Sequence, residues 1–132
     1  MYPTRSPELP AAKRLTRLKR RAEFLRVAGA RRKWAAPGLI LQARPTPIDD
    51  GGVGRKGYPR VGFTVSRRVG NAVERNRVRR RLREVAERVL PAHARDGLDF
   101  VIIGRTATLK RPFAALSGDL RVALRKLDAY HD

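Results

Sequence analysis

The hydrophobic positions of this chain fall into short periodic blocks separated by proline, glycine and charge. Leu15, Leu18, Ala22, Leu25 and Ala28 recur at helical spacing, which predicts a helix over 15–28 with Gly29 as its stop. Phe24 sits beside that stripe, not at its centre. Leu39-Ile40-Leu41-Gln42-Ala43 reads as a strand. Val61, Phe63 and Val65 alternate with other residues, which predicts a strand over 60–66 with those three on one side. Gly70-Asn71 then turns the chain, and Asn71 with Glu74 three residues later has the form of a capping box. Val78, Leu82, Val85 and Val89 share one helical face, so a helix is expected over 72–90, ending before Pro91. The continuous apolar run 100–103 reads as a buried strand. Pro112, a residue favoured in a first turn, opens a last helix that carries Phe113, Leu116, Leu120, Leu124 and Leu127.

Two segments have no such period. Residues 1–13 hold several prolines and are expected to form a flexible basic arm. Residues 45–59 are dense in proline and glycine and are expected to form a flexible loop. The remainder, 14–130, reads as a single domain. Its class is α+β, an α/β sandwich with helices on a central mixed sheet, in the order α-β-β-β-α-β-α.

Charge turns this outline toward a partner. The chain has 132 residues with 31 Lys+Arg against 12 Asp+Glu, a net charge of +19, yet its hydrophobic content of 42% supports a folded domain. Such an excess self-repels, and a polyanion relieves it. The charge is densest in Arg75-Asn76-Arg77-Val78-Arg79-Arg80-Arg81-Leu82-Arg83-Glu84. With Val78 and Leu82 at the buried pole, Arg75, Arg79 and Arg83 fall on one flank and Arg77 and Arg81 on the other. Asn76 and Arg80 point away from the core. Cations near a helix N-terminus oppose the macrodipole, and like charges four apart repel, so stability alone does not favour this band. Guanidinium groups suit phosphate contacts and base stacking. The bland alternative is a solvated basic face. For Phe24 the bland reading is core packing, the usual place of a lone aromatic on an amphipathic helix.

Other chemistry has little support. There is no cysteine, so disulfides and thiolate metal sites are excluded. His93 and His131 stand far apart in polar surroundings, and no nucleophile elbow or phosphate-cradling glycine motif is present. Asp49-Asp50 reads as a loop-capping pair, and no metal ligands are assigned. No run is long enough to span a bilayer and no signal-like segment opens the chain. A cytoplasmic protein without a membrane or small-molecule partner is expected. It binds RNA and performs no chemistry with its own side chains.

The stretch Arg60 to Val85, RVGFTVSRRVGNAVERNRVRRRLREV, closely resembles the protein subunit of bacterial ribonuclease P. That family carries V-G-x-x-V-S-[KR]-[KR]-x-G-N-A-V-x-R-N-R-x-[KR]-R, which this sequence fills from Val61 through Arg80 without a gap. Arg14-Leu15, Leu18-Lys19 and Phe24 resemble the family's first helix, and Asp99-Phe100-Val101-Ile102-Ile103 its last strand. The resemblance spans about 14–127. It implies a left-handed strand–helix–strand crossover, against the usual right-handed rule. It also implies two partners: the catalytic ribonuclease P RNA, and precursor tRNA, whose 5′ leader is removed. Mg2+ would be bound mainly by the RNA subunit and substrate, with no catalytic side chain in this chain. By position, Arg75, Asn76, Arg77, Arg79, Arg80 and Arg83 would contact the RNA subunit. Phe24 would line a leader-binding cleft, with Ser66, Arg67 and Arg68 near its edge, which moves the reading of Phe24 from core to cleft. Many relatives carry a second aromatic one turn later, where this chain has Ala28, so weaker leader stacking is expected. Arginines at 67, 68 and 79 stand where relatives often have lysine, which preserves phosphate binding and adds stacking capacity. Three rivals remain: a structural RNA-binding protein of ribosomal type, a helix-turn-helix DNA binder, and an autonomous nuclease. The helix-turn-helix reading lacks a helix just before Asn71. The nuclease reading lacks a catalytic constellation.

Overall fold

A computed structural model describes residues 15–47 and 59–132. The elements run β1 (Thr16–Arg17), α1 (Arg21–Gly29), β2 (Lys33–Ala35), β3 (Leu39–Pro45), β4 (Arg60–Thr64), α2 (Ala72–His93), β5 (Leu98–Gly104) and α3 (Phe113–Lys126). Single 3-10 turns at Arg67–Val69 and Thr106–Leu109 follow β4 and β5. The expected α-β-β-β-α-β-α order is present, with the two-residue β1 added in front. The expected arm at 1–13 lies outside the described residues. So does most of the 45–59 loop, although Pro45 itself closes β3 and Pro59 is buried beside β4.

The sheet is mixed, in the order β1-β4-β5-β3-β2. Strands β1, β4 and β5 are parallel, while β3 runs antiparallel to both β5 and β2. Alternation along β5 separates two faces. Phe100 and Ile102 join the main core with Leu39, Leu41, Val61 and the buried stripes of α2 and α3. Val101 and Ile103 face the other way, where Val27 and Phe24 of α1 and Leu18 cover them. The helices thus lie on both faces, which is why the 100–103 run is apolar without alternation.

The hand of the β4–α2–β5 crossover follows from one residue. Val61 sends its side chain into the α2 face, and its carbonyl accepts from the Leu18 amide beyond β1 at 3.0 Å. For an L residue these two directions fix the layout. Viewed from α2 with β4 running upward, β1 lies to the right and β5 to the left. The crossover is therefore left-handed.

Three boundaries differ from the periodic reading. The helix predicted over 15–28 begins only at Arg21. Residues 16–17 pair with Arg60 and Val61 as a strand, so Leu18 is buried by the sheet and not by a helical stripe. The buried face of α1 is Glu23 and Val27, while Leu25 of the predicted stripe is 56% exposed. Glu23 takes that place because Arg60 meets it from the sheet at 3.1 Å. Helix α2 runs through Pro91 to His93. A proline in the last turn removes one N–H. The turn still closes through Ala94 N–H on the Leu90 carbonyl at 2.9 Å, with Val89 and Leu90 in the core. Pro112 is the N-cap of α3 and not its first helical residue.

Candidate nucleic-acid interface

Helix α2 starts where the sequence places it. The Asn71 side chain accepts from the Glu74 amide, and the Glu74 carboxylate accepts from the Asn71 amide, both at 2.9 Å. These bonds satisfy two of the orphan donors of the first turn. Gly70 leaves room for the cap, because a Cβ there would lie 2.4 Å from the Glu74 Oε1 and would push the capping carboxylate aside. Val78, Leu82, Val85, Ala86, Val89 and Leu90 are buried. Gly104 at the end of β5 gives Val78 its room, since a Cβ there would lie 2.7 Å from the valine Cγ1.

With that face fixed, the arginines sort by position. Asn76, Arg77, Arg80 and Arg83 are exposed. Arg75 folds back, its Nη1 donating to the Gly70 carbonyl at 2.8 Å. Arg79 makes a long contact of 3.4 Å to the Asn76 Oδ1. No carboxylate among the described residues pairs with Arg77, Arg80 or Arg83. Arg81 is different. Its Nη1 donates to the Leu109 carbonyl at 3.1 Å and its Nη2 to the Arg111 carbonyl, so this arginine caps the 3-10 turn and ties α2 to the approach to α3. Val73, 67% exposed, adds an apolar side chain to the same outer surface.

The second group of predicted residues lies on α1 and in the turn beyond β4. Ser66, Arg67 and Arg68 are exposed in the turn joining β4 to α2, where the Val69 amide closes on the Ser66 carbonyl at 3.1 Å. Phe24 lies across the sheet from α2. It is half-buried on α1, with its ring edge so close to Gly62 of β4 that a Cβ there would lie 2.4 Å from Cε2 and Cζ. The side chains of Arg60 and Thr64 share the α1-side face with Gly62, by strand alternation. The structure therefore gathers Arg75 to Arg83 on one helix and sets Phe24 on the opposite sheet face. Ser66 to Arg68 stand just beyond β4, on the way into α2. Ala28 is exposed and brings no second ring to Phe24.

Sequence reasoning missed the charged cluster under α1. Arg60 Nε and Nη2 donate to Asp99 Oδ1 and Oδ2, both at 2.7 Å, and Nη1 donates to Glu23 Oε2 at 3.1 Å. Glu23 Oε1 accepts from the Lys19 and Arg20 amides, and Thr46 Oγ1 donates to Asp99. All three charged residues are buried. The available signal was a charged residue at the start of each strand, Arg60 as the first residue of β4 and Asp99 as the second of β5. A second pair lies under α3. Asp119, buried, holds the Arg111 guanidinium and the Gly38 amide. The Asp119 hydrogen bond raises the Arg111 pKa above its ordinary value. Among the described residues no group of three or more His, Cys, Asp or Glu could hold a metal ion, and no helix is long and apolar enough to cross a membrane.

The chain matches known proteins in both sequence and fold. The family model of ribonuclease P matches residues 12–128. The ribonuclease P protein component of Paramagnetospirillum magneticum is 59% identical over 118 residues, covering 89% of this chain and 86% of that protein. The chain belongs to the ribonuclease P protein family. The ribonuclease P protein component of Gluconacetobacter diazotrophicus is 52% identical over 115 residues, covering 87% of this chain and 93% of that protein. Among solved structures, the Staphylococcus aureus RNase P protein superposes with a TM-score of 0.67 at 23% identity, covering 87% of this chain and 97% of that one. The Thermotoga maritima RNase P protein gives 0.63 at 24%, covering 79% and 90%. These two carry the fold and no more. As a protein component of ribonuclease P, the chain is a subunit of the enzyme that processes tRNA 5′ ends, with the ribonuclease P RNA as its partner. The ribosomal-type, helix-turn-helix and autonomous-nuclease readings fall with that assignment.

Proposed function

We propose a division of labour between the two surfaces. The α2 band of Arg75, Asn76, Arg77, Arg79, Arg80 and Arg83 binds the ribonuclease P RNA. The α1-side face of the sheet receives the 5′ leader of precursor tRNA, with Phe24 as a stacking platform and Ser66, Arg67 and Arg68 at its edge. The observation that carries this reading is the sorting of α2. Arg81 is spent on carbonyls of its own chain, whereas Arg77, Arg80 and Arg83 face outward without a carboxylate partner among the described residues. Charge held in that way serves a phosphate backbone. A half-exposed ring lying on a strand supports single-strand stacking.

No residue of this chain is assigned a metal-ligand or general-base role. The Mg2+ that supports cleavage belongs, in this reading, to the RNA subunit and substrate, and the reaction takes place in the cytoplasm. The protein's contribution is electrostatic and positional: it offsets phosphate repulsion between two RNAs and holds the leader beside the RNA active site. The test is cleavage of precursor tRNA by the RNA subunit at low magnesium, with and without this chain. Addition of the chain is expected to restore cleavage and to favour substrates with a single-stranded leader. Equal rates with and without it would overturn the proposal.

A further inference from the structure

We propose that Gly62 of β4 and the Glu23–Arg60–Asp99 cluster beside it are positioning residues for the Phe24 ring. The inference rests on the reading of Phe24 as the leader platform. Three observations lead to it. First, the ring edge occupies the space a side chain at 62 would need: a Cβ would lie 2.4 Å from both Cε2 and Cζ, and 3.3 Å from the Leu18 Cβ. A real Cβ does not tolerate that approach, so any side chain at 62 drives the ring off the strand. Second, the residue before Gly62 on the same face is Arg60, and it joins three separate parts of the chain. It forms a two-pronged contact with Asp99 of β5 at 2.7 Å and reaches Glu23 of α1 at 3.1 Å. Third, Glu23 is the immediate neighbour of Phe24, and its other oxygen receives the Lys19 and Arg20 amides at 2.8 and 2.9 Å.

One buried carboxylate therefore fixes the first turn of α1 along its axis and anchors it to the sheet. The clamp sets where α1 sits, and the missing side chain at 62 sets how closely the ring approaches. Neither residue touches the leader in this arrangement. Each acts through Phe24, by holding the ring at one height and tilt with part of it open. A platform held before its ligand arrives loses less freedom on binding.

A double-mutant cycle in the reconstituted holoenzyme separates this role from simple support of the fold. Equilibrium binding of precursor tRNA with a single-stranded leader, and of mature tRNA, is measured for Gly62→Ala, Phe24→Ala and the double variant. Phe24→Ala and Gly62→Ala are each expected to lower the precursor-over-mature preference about ten-fold, the scale of one lost base–aromatic stack. The double variant is expected to lose no more than Phe24→Ala alone. Arg60→Lys, which keeps the charge and loses the two-pronged geometry, is run through the same cycle and carries the test if Gly62→Ala does not fold. A normal preference in Gly62→Ala alongside a reduced one in Phe24→Ala would overturn the positioning role alone. Losses that add in the double variant would overturn it too. No effect of Phe24→Ala would overturn the leader reading itself, and this inference with it.

Discussion

Asp99 accepts two parallel hydrogen bonds of 2.7 Å from Arg60, one strand to the next, and both side chains are buried. The two residues are directly opposite in the parallel β4–β5 register. A two-pronged carboxylate–guanidinium contact is the geometry that best offsets desolvation of two charges. Removing one partner strands the other. Asp99→Ala is therefore expected to cost about 3–5 kcal/mol of folding stability, the range for breaking a buried pair. Thermal or urea unfolding of the isolated chain checks this, and a change within error of zero would show that water replaces the carboxylate.

Neighbouring arginines on α2 should behave oppositely. Arg77→Ala and Arg80→Ala are expected to weaken binding to the RNA subunit by about 1–2 kcal/mol each, as for charge-assisted hydrogen bonds, with the melting temperature nearly unchanged. Arg81→Ala is expected to lower stability by about 1–3 kcal/mol, since it leaves carbonyls at Leu109 and Arg111 without their donor. Its RNA affinity should stay near that of the parent chain. Affinity of the parent should also fall steeply with salt, and the exposed-arginine variants should show shallower slopes. Equal affinity losses at positions 80 and 81 would contradict the sorting.

The contrast between α2 and α1 shows what local pattern can reveal. Helix α2 carries all its signals within itself: a reciprocal cap at Asn71 and Glu74, an apolar stripe, and charge on the rest. Its start and its buried face were readable, and only the stop at Pro91 was not, because core contacts of Val89 and Leu90 outweigh one missing donor. Helix α1 depends on partners elsewhere. Leu15 and Leu18 fit a helical period, yet residues 16–17 pair with Arg60 and Val61 of a distant strand. Glu23 carries no local sign of burial, because its partner Arg60 lies 37 residues away. Periodicity cannot report a pairing across such a separation, and a buried ion pair erases the hydrophobic signature it replaces. The exposed arginines of α2 stand out for the opposite reason, since a dense run of cations without a carboxylate partner among the described residues is visible in the sequence itself.

The isolated chain should not cleave precursor tRNA. Among the described residues no metal-holding cluster exists, and each buried carboxylate, Glu23, Asp99 and Asp119, is engaged by an arginine. None is free to act as a base or to hold Mg2+. Purified chain with Mg2+ and without RNA subunit should leave the substrate intact. Specific 5′ maturation that survives ribonuclease pre-treatment of the protein would refute this.

Phe24 should serve the leader more than the fold. Its ring is half-buried, packed on the Leu18–Val27–Val101 cluster along one side and open along the other. Truncating a fully buried phenylalanine costs about 3–5 kcal/mol, so a ring that already meets solvent should cost clearly less. A base stacked on the open side is worth about 1–3 kcal/mol. Phe24→Ala in the holoenzyme is therefore expected to weaken precursor tRNA binding within that range and to leave mature tRNA binding nearly unchanged. The same variant should melt only a few degrees lower. Ala28 offers a converse check: Ala28→Phe places an aromatic one turn further along α1, on an exposed position that can receive it without repacking. Leader affinity should rise in that variant while stability stays level. If Phe24→Ala instead unfolds the chain, and affects precursor and mature tRNA alike, the ring belongs to the core and the leader lies elsewhere.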